Sequence, residues 1–355
     1  FGTPEPVVGD IRADDMVVGE QAVADLIPAR AENENTVAVR TRFRAAVADD
    51  GGEFDVVVVG AGPAGMTAAL AAARQGARTL VVHDRPAPGG NAASEYFVPV
   101  NGAGCYHPGW REAGIVDEMG LTALAHDRLG LSEPYRCAIS ATPSLREIPN
   151  TRVISAETRN GRIVSVLGRG TLDGRETRFR GKIFVDGTGD GWLGYFAGAK
   201  YMYGREGRAQ FGESLAPERA DTLTMSGCLM GEYGLGYQLK WTGAPSPFTA
   251  PPWAARLPEG FVRNPPNAQS QWWVEHGGDV DDLADPEHAR DSLIRINLAY
   301  WDWVKNVWKG KDAAANLRLD FLPHGNARRE GRRLVGDYVF TEADAKAGRD
   351  DRVWQ

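Results

Sequence analysis

Four apolar residues in a row, Val56-Val57-Val58-Val59, begin the most regular part of the hydropathy pattern. A run without polar alternation suits a strand buried on both faces, as in a parallel sheet. After the turn Gly60-Ala61-Gly62-Pro63-Ala64-Gly65, an alanine-rich stretch predicts a helix from Pro63 to Gln75, stopped by Gly76. A second apolar strand at Thr79–Val82 completes a β-α-β unit. Farther on, residues 151–158, 162–170 and 175–180 predict three strands joined at Asn160-Gly161 and Asp173-Gly174, the dipeptides that tight hairpins favour. Another apolar strand, Lys182–Val185, then runs into Asp186-Gly187-Thr188-Gly189-Asp190-Gly191.

Helical periodicity recurs at both ends of the chain. Thr36–Asp49 has the spacing of one amphipathic helix capped by Thr36, within an otherwise polar arm over residues 1–52. Asp285-Pro286-Glu287 signals a helix start, with Asp285 as N-cap and Pro286 in the first turn. Leu293, Ile296, Tyr300, Trp303 or Val304, and Val307 share one face of that helix, and Gly310 is expected to end it. Most of the tryptophans lie between Trp241 and Trp308, separated by loops such as Pro245–Pro252. This shift marks residues from about 195 to 330 as a separate cap, while residues 100–150 give no clear pattern.

Composition narrows the function classes. A chain of 355 residues is long enough for two domains with good cores. A formal net charge of −7 argues against nucleic acid and anionic membranes as partners, and no apolar run is long enough to span a bilayer. A small-molecule substrate is expected instead. Cys105, Cys137 and Cys228 are widely spaced and include no C-x-x-C pair, so no metal is expected and each reads as a buried, unreactive thiol, with a reactive Cys105 after Gly102-Ala103-Gly104 as the minority reading. The chain opens on Phe1, which leaves an export signal open; the cytoplasm is the expected location.

The glycine turn carries the chemistry. Gly60 permits the sharp turn, Gly62 lets a pyrophosphate approach the backbone, and Gly65 lets helix and strand pack closely. The helix N-terminus at Pro63 and Ala64 offers free N–H groups and partial positive charge to phosphates. The carboxylate that usually ends the second strand is displaced: that position holds His83, with Asp84 next. Either residue is placed to reach a ribose. Small residues after the second strand, Gly89-Gly90-Asn91, sit where ligands bind, at the carboxyl ends of the strands.

This order of glycine turn, Gly-Gly loop, β-meander and strand ending in Gly187-Thr188-Gly189-Asp190 resembles the FAD-dependent oxidoreductases related to fumarate reductase and succinate dehydrogenase flavoproteins. The resemblance runs from about Glu53 to about Gly348. It implies FAD as cofactor, with the ADP pyrophosphate on the first glycine motif and Gly89, Gly90 and Asn91 near the flavin. It also implies that the turn at 187–190 returns to the cofactor and that Val153 meets the adenine through its backbone. The stretch Trp272-Trp273-Val274-Glu275 with Gly277-Gly278, and then Arg329-Glu330-Gly331-Arg332-Arg333 up to Asp337, looks like one uncharacterised branch, with Gly331 where a serine is usual.

The expected fold is therefore α/β. A Rossmann-like FAD-binding domain with a meander spans 53–100 and 151–195, and a mixed α+β cap or substrate domain spans 101–150 and 196–330. Residues 331–355 return toward the FAD domain. The expected activity is that of a dehydrogenase or oxidase, with hydride passing from a small polar substrate to the flavin. An alkene reductase of the fumarate reductase kind is the alternative chemistry, and an NAD-only dehydrogenase is a weaker one.

Candidates for proton transfer or charge stabilisation are His107, Glu275, His276, His324, Arg329, Arg332 and Arg333; His324, Arg332 and Arg333 carry most weight as catalytic residues. Trp272, Trp273 and Glu275 are the substrate candidates, since sugars and polyols stack on indoles. The family's second glycine turn around the pyrimidine end of the flavin is not seen before Gln355. Residues following Gln355, a homo-oligomer or a second polypeptide are accordingly expected to complete the site, and the chain could act as an FAD-binding subunit that is inactive alone.

Overall fold

The computed structural model describes residues 48–96, 98, 100, 114–125, 130–229, 238–257, 274–276, 278, 281, 283–323 and 325–347. A six-stranded sheet in the order β3-β2-β1-β6-β5-β4 dominates it. Its strands are β1 (Asp49–Val59), β2 (Thr79–Val82), β3 (Leu145–Ile148), β4 (Thr151–Arg159), β5 (Arg162–Gly170) and β6 (Glu176–Asp186). β3, β2, β1 and β6 run parallel, while β6, β5 and β4 form an antiparallel meander. β1 lies between β2 and β6, so the carboxyl ends of these strands open beside one another.

The apolar run of β1 is buried on both sides, as expected. Val56 and Val58 pack with Met66, Leu70, Val81, Tyr135 and Leu145 on one face. Val57 and Val59 pack with Leu80, Val82, Val166, Phe179 and Leu193 on the other. Helix α1 (Pro63–Arg74) follows the glycine turn, with Gly62 as its N-cap and Met66, Ala69, Leu70 and Ala73 as its buried stripe. Gly76 has φ +91° just beyond it, the left-handed conformation that ends helices. Helices α2 (Ile115–Ala125) and α3 (Ser132–Ser140) complete that face.

Several boundaries differ from expectation. Asp49, predicted to end a helix, opens β1 and pairs with Thr177, so the strand starts before the expected boundary at Glu53. The rest of the predicted Thr36–Asp49 helix lies outside the described residues, apart from Ala48. The third meander strand and the returning strand are one: Phe179 and Arg180 pair with β5, while Ile183–Asp186 pair with β1. Gly181 permits this continuity, since a β-carbon there would fall 2.7 Å from Val57 Cγ2. Leu145–Ile148, within the 101–150 stretch expected in the cap, is an edge strand of the main sheet. Its first residue, Leu145, is apolar and buried, but four residues give no periodicity to read.

The cap-associated elements pack about a separate core. Helix α5 (Pro286–Asn306) begins as predicted, with the Asp285 carboxylate accepting from His288 N at 3.0 Å. It packs against a three-stranded sheet of β8 (Gly227–Leu229), β10 (Glu275–His276) and β12 (Asn326–Ala327). Tyr300, Trp301, Val304 and Trp308 form its core with Val274, Ala314 and Leu317. The helix ends at Asn306 rather than Gly310, and Val307 is 66% exposed rather than on the buried face. Gly310 instead precedes the short helix α6 (Lys311–Ala314), whose end is gathered by Lys305 donating to the Ala314, Ala315 and Leu317 carbonyls. Four further strands form two pairs: β7 (Tyr201–Met202) with β13 (Arg333–Leu334), and β9 (Gln238–Trp241) with β11 (Leu317–Phe321).

Candidate functional site

The ends of β1, β2 and β6 open into a cavity of about 810 Å³. The glycines that build its floor pack backbone on backbone. Gly60 has φ +96°, and a β-carbon there would overlap the Gly187 carbonyl. Gly65 lies against the Gly60 carbonyl, and a β-carbon on Gly187 would sit 2.8 Å from Gly65 Cα. Gly90, at φ +56°, would bring a β-carbon to 2.8 Å from Gly62 Cα. Gly62 is the exception: the nearest atom to a β-carbon there is the Gly187 carbonyl oxygen at 3.8 Å, and the remaining space belongs to the cavity. An open cradle over a glycine, beside the unpaired N–H groups that begin a helix, fits an anionic diphosphate.

The expected cofactor residues converge. Gly60, Gly62, Pro63, Ala64, His83, Asp84, Gly90, Asn91, Val153, Gly187, Thr188, Gly189 and Asp190 all line the cavity. Gly65 and Gly89 are not on its wall and act by packing instead; a β-carbon on Gly89 would lie 2.8 Å from Ala93 Cα. His83 is buried, and its Nε2 lies 2.9 Å from Glu147 Oε1 on β3. Asp84 is exposed on the cavity wall.

Asp186 organises the turn at the end of β6. Its Oδ1 accepts from Thr188 N at 3.0 Å and Thr188 Oγ1 at 2.7 Å, and its Oδ2 accepts from Gly194 N at 2.9 Å. Trp192 N donates to Thr188 Oγ1, which fixes the start of helix α4 (Trp192–Phe196). Asp190 is buried and paired with Arg328. Burial pushes its carboxyl above the usual range, against the pull of the Arg328 and Arg332 guanidinium groups.

The C-terminal segment closes the other side. Asn91 Nδ2 donates to the Arg328 carbonyl at 2.8 Å, tying the Gly-Gly loop to that segment. Arg332 lines the cavity, with its guanidinium 4.2 Å from the Trp192 ring centre and 4.3 Å from that of Tyr195. Arg333, also expected as catalytic, is not among the lining residues: it is bound to Glu330, to Glu206 at 2.7 Å and to the Gly204 carbonyl at 2.6 Å. Glu275, expected at the substrate, is likewise off the wall and pairs with Arg329, which is on it. His276 sits on β10 and is not a lining residue. His324, Trp272, Trp273, His107 and Cys105 lie outside the described residues. Cys228 is buried as expected, and burial raises its thiol pKa, but Cys137 is exposed on the outer side of α3.

Sequence reasoning missed several lining residues. Arg85, Tyr96, Arg152 and Trp192 belong to the sheet side, and Pro286, Glu287 and Arg290 come from the first turn of α5. Trp192 was within reach of sequence, two residues after the Gly187–Asp190 turn. The first turn of α5 carries no local signal that it faces a distant glycine loop.

Among the described residues no helix is long and apolar enough to cross a membrane. A 6-methylpretetramide 4-monooxygenase of Streptomyces rimosus is 32% identical over 168 residues, covering 39% of this chain and 39% of that protein. A 3-oxosteroid 1-dehydrogenase of Mycolicibacterium smegmatis is 60% identical over 43 residues, 12% of this chain and 8% of that one. The chain thus matches well under half the length of these relatives. Among solved structures, a flavocytochrome c3 fumarate reductase in its open conformation aligns with a TM-score of 0.28 and 17% identity, over 44% of this chain and 36% of that one. The family described as FAD dependent oxidoreductase matches residues 55–353, nearly the whole chain beyond its N-terminal arm, and the chain belongs to that family.

Proposed function

We propose that this FAD-dependent oxidoreductase is a dehydrogenase or oxidase that takes a hydride from a small polar organic substrate. The observation that carries this reading is the character of the wall contributed by α5 and the segment after β11. Glu287, Arg290, Asn326, Arg328 and Arg329 line it, so the face opposite the glycine turn is polar and charged. A steroid-like or polycyclic substrate would strip water from these charged side chains, and desolvating charges costs free energy even where they are paired.

Bound FAD supplies the two-electron acceptor chemistry. The chain supplies placement. Gly62 and the N-terminus of α1 hold the diphosphate, and Asp84 stands ready to accept from the ribose hydroxyls. Arg329 is held by Glu275 and donates to a substrate oxygen. The first turn of α5 contributes Pro286, Glu287 and Arg290 to the wall, where they would limit access of water.

The test is anaerobic. Purified holoprotein is mixed with panels of polyols, sugars, hydroxy acids, amines and steroids, and the flavin absorbance is followed. Bleaching by a polar alcohol or amine supports the reading. Bleaching by steroids alone, or reduction only by a nicotinamide cofactor followed by oxygen insertion, overturns it.

A further inference from the structure

Six arginines line the cavity: Arg85, Arg152, Arg290, Arg328, Arg329 and Arg332. Four of them have a carboxylate neighbour within ion-pair distance. Arg85 faces Glu95, Arg290 faces Glu287 and Asp291, Arg328 faces Asp190, and Arg329 faces Glu275. Among the described residues, no carboxylate pairs with Arg152 or Arg332. Both lie over Trp192 instead, at 5.7 Å and 4.2 Å from its ring centre. Tyr195 and Tyr201 add further aromatic faces to Arg332, and the Asp190 carbonyl accepts from its Nη1 at 3.4 Å.

Aromatic faces orient a guanidinium without cancelling its charge. Asp190 attracts Arg332, but its side chain is bound to Arg328. Asp186 accepts from Thr188 and Gly194, Asp84 stands at the end of β2, and among the described residues neither forms an ion pair with Arg152 or Arg332. The cavity therefore carries two oriented guanidinium groups with no carboxylate ion pair among the described residues, beside the turn that packs against the glycine floor.

We infer that Arg152 and Arg332, plated on Trp192, form a clamp for the two negative charges of the FAD diphosphate, on the side away from the α1 N-terminus. This rests on FAD binding in the cavity and adds to it a recognition element that the glycine motif does not contain. Arg332 is the stronger arm, because it is half-buried and enclosed by three rings; Arg152 is exposed and screened. Trp192 is a positioning residue that acts through both.

The experiment measures binding to the apoprotein of the full chain and of Arg332→Met, Arg332→Lys, Arg152→Met and Trp192→Leu. The probes are FAD, ADP, adenosine and riboflavin. Removing a charge-assisted contact to phosphate lowers affinity by roughly ten-fold or more. Arg332→Met is expected to lose about that factor for FAD and ADP, with adenosine and riboflavin unchanged. Arg332→Lys recovers part of it, Arg152→Met loses less, and the salt dependence of ADP binding becomes shallower in both Met variants. Trp192→Leu weakens ADP without removing any charge. Equal losses for ADP and adenosine would reveal a merely structural role and overturn the clamp. So would unchanged ADP affinity in Arg332→Met. Failure of the unaltered chain to bind FAD or ADP would instead remove the cofactor assignment on which the clamp stands.

Discussion

The carbonyl oxygen of Gly60 packs so closely on Gly65 that no β-carbon fits there, whereas Gly62, between them in the same turn, faces open cavity. Neighbouring glycines of one motif thus serve different ends. Gly65→Ala should cost about 1–3 kcal/mol of stability by overpacking and lower the melting temperature of the apoprotein. Gly62→Val has a compatible backbone, at φ −69°, and should fold normally yet fail to retain flavin. Flavin content and thermal melts of the two variants check this; a flavin-replete Gly62→Val protein would disprove it.

At the end of β2 the division of labour is decided by Glu147. It engages His83 Nε2, so the imidazole is committed to a contact between strands, and Asp84 is left facing the cavity. Asp84→Ala should lower FAD affinity by about five- to ten-fold through the lost ribose contact. FMN, which lacks the adenosine half, should bind the variant as well as it binds the unaltered chain. Titration of both flavins against both proteins separates the outcomes.

Asp190 gives a pH dependence of definite sign. Its folded carboxyl lies above its ordinary pKa because burial outweighs the nearby arginines. The proton is therefore held more tightly in the folded state, so the contribution is fully present below the ordinary carboxylate range. It is lost as pH rises through the raised value. The stability advantage of the native chain over Asp190→Asn should shrink between pH 4 and pH 7. Urea midpoints at both pH values measure it, and a gap that widens with pH would mean that the Arg328 pair prevails over burial.

Tyr135 is wholly buried beside Thr67, and burial pushes its phenol up to about 12. Neither hydroxyl completes a well-formed hydrogen bond. Tyr135→Phe should be neutral or stabilising by about 1 kcal/mol. Because the unfolded phenol ionises near 10, the native chain should lose stability as pH rises from about 10 to about 12, and the variant should not show that component. Melting curves across the alkaline range provide the check.

The β-α-β unit and the meander hairpins were legible because each rests on contiguous residues with a period and a stop signal. The glycine floor of the cavity was legible for the same reason, since Gly60–Gly65, Gly89–Asn91 and Gly187–Asp190 are short runs that announce close backbone approach. What sequence did not show is long-range. Arg332 and Arg333 look alike in the chain, yet one faces the cavity and the other is held by Glu206 and Glu330. Which of two adjacent arginines turns inward depends on the pairing of β13 with β7, each a two-residue strand too short to carry a pattern. The strand Leu145–Ile148 was hidden likewise, its brevity leaving nothing for periodicity to detect.

The single strand β6 has a further consequence for how the molecule tolerates change. It pairs with the glycine-bearing strand along its length and with the meander over Glu176–Arg180, so it works as a ruler between them. Residues added at the Asp173-Gly174 hairpin tip leave the ruler's length untouched. One residue added between Arg180 and Asp186 would move the Gly187–Asp190 turn by a strand step of about 3.3 Å and turn its side chains over. Gly187 could then no longer nest against Gly60 and Gly65, and the two halves of the cradle would stop matching. Variation in this chain's relatives should therefore accumulate at the hairpin tip and avoid the strand, however far that strand lies from the reacting atoms.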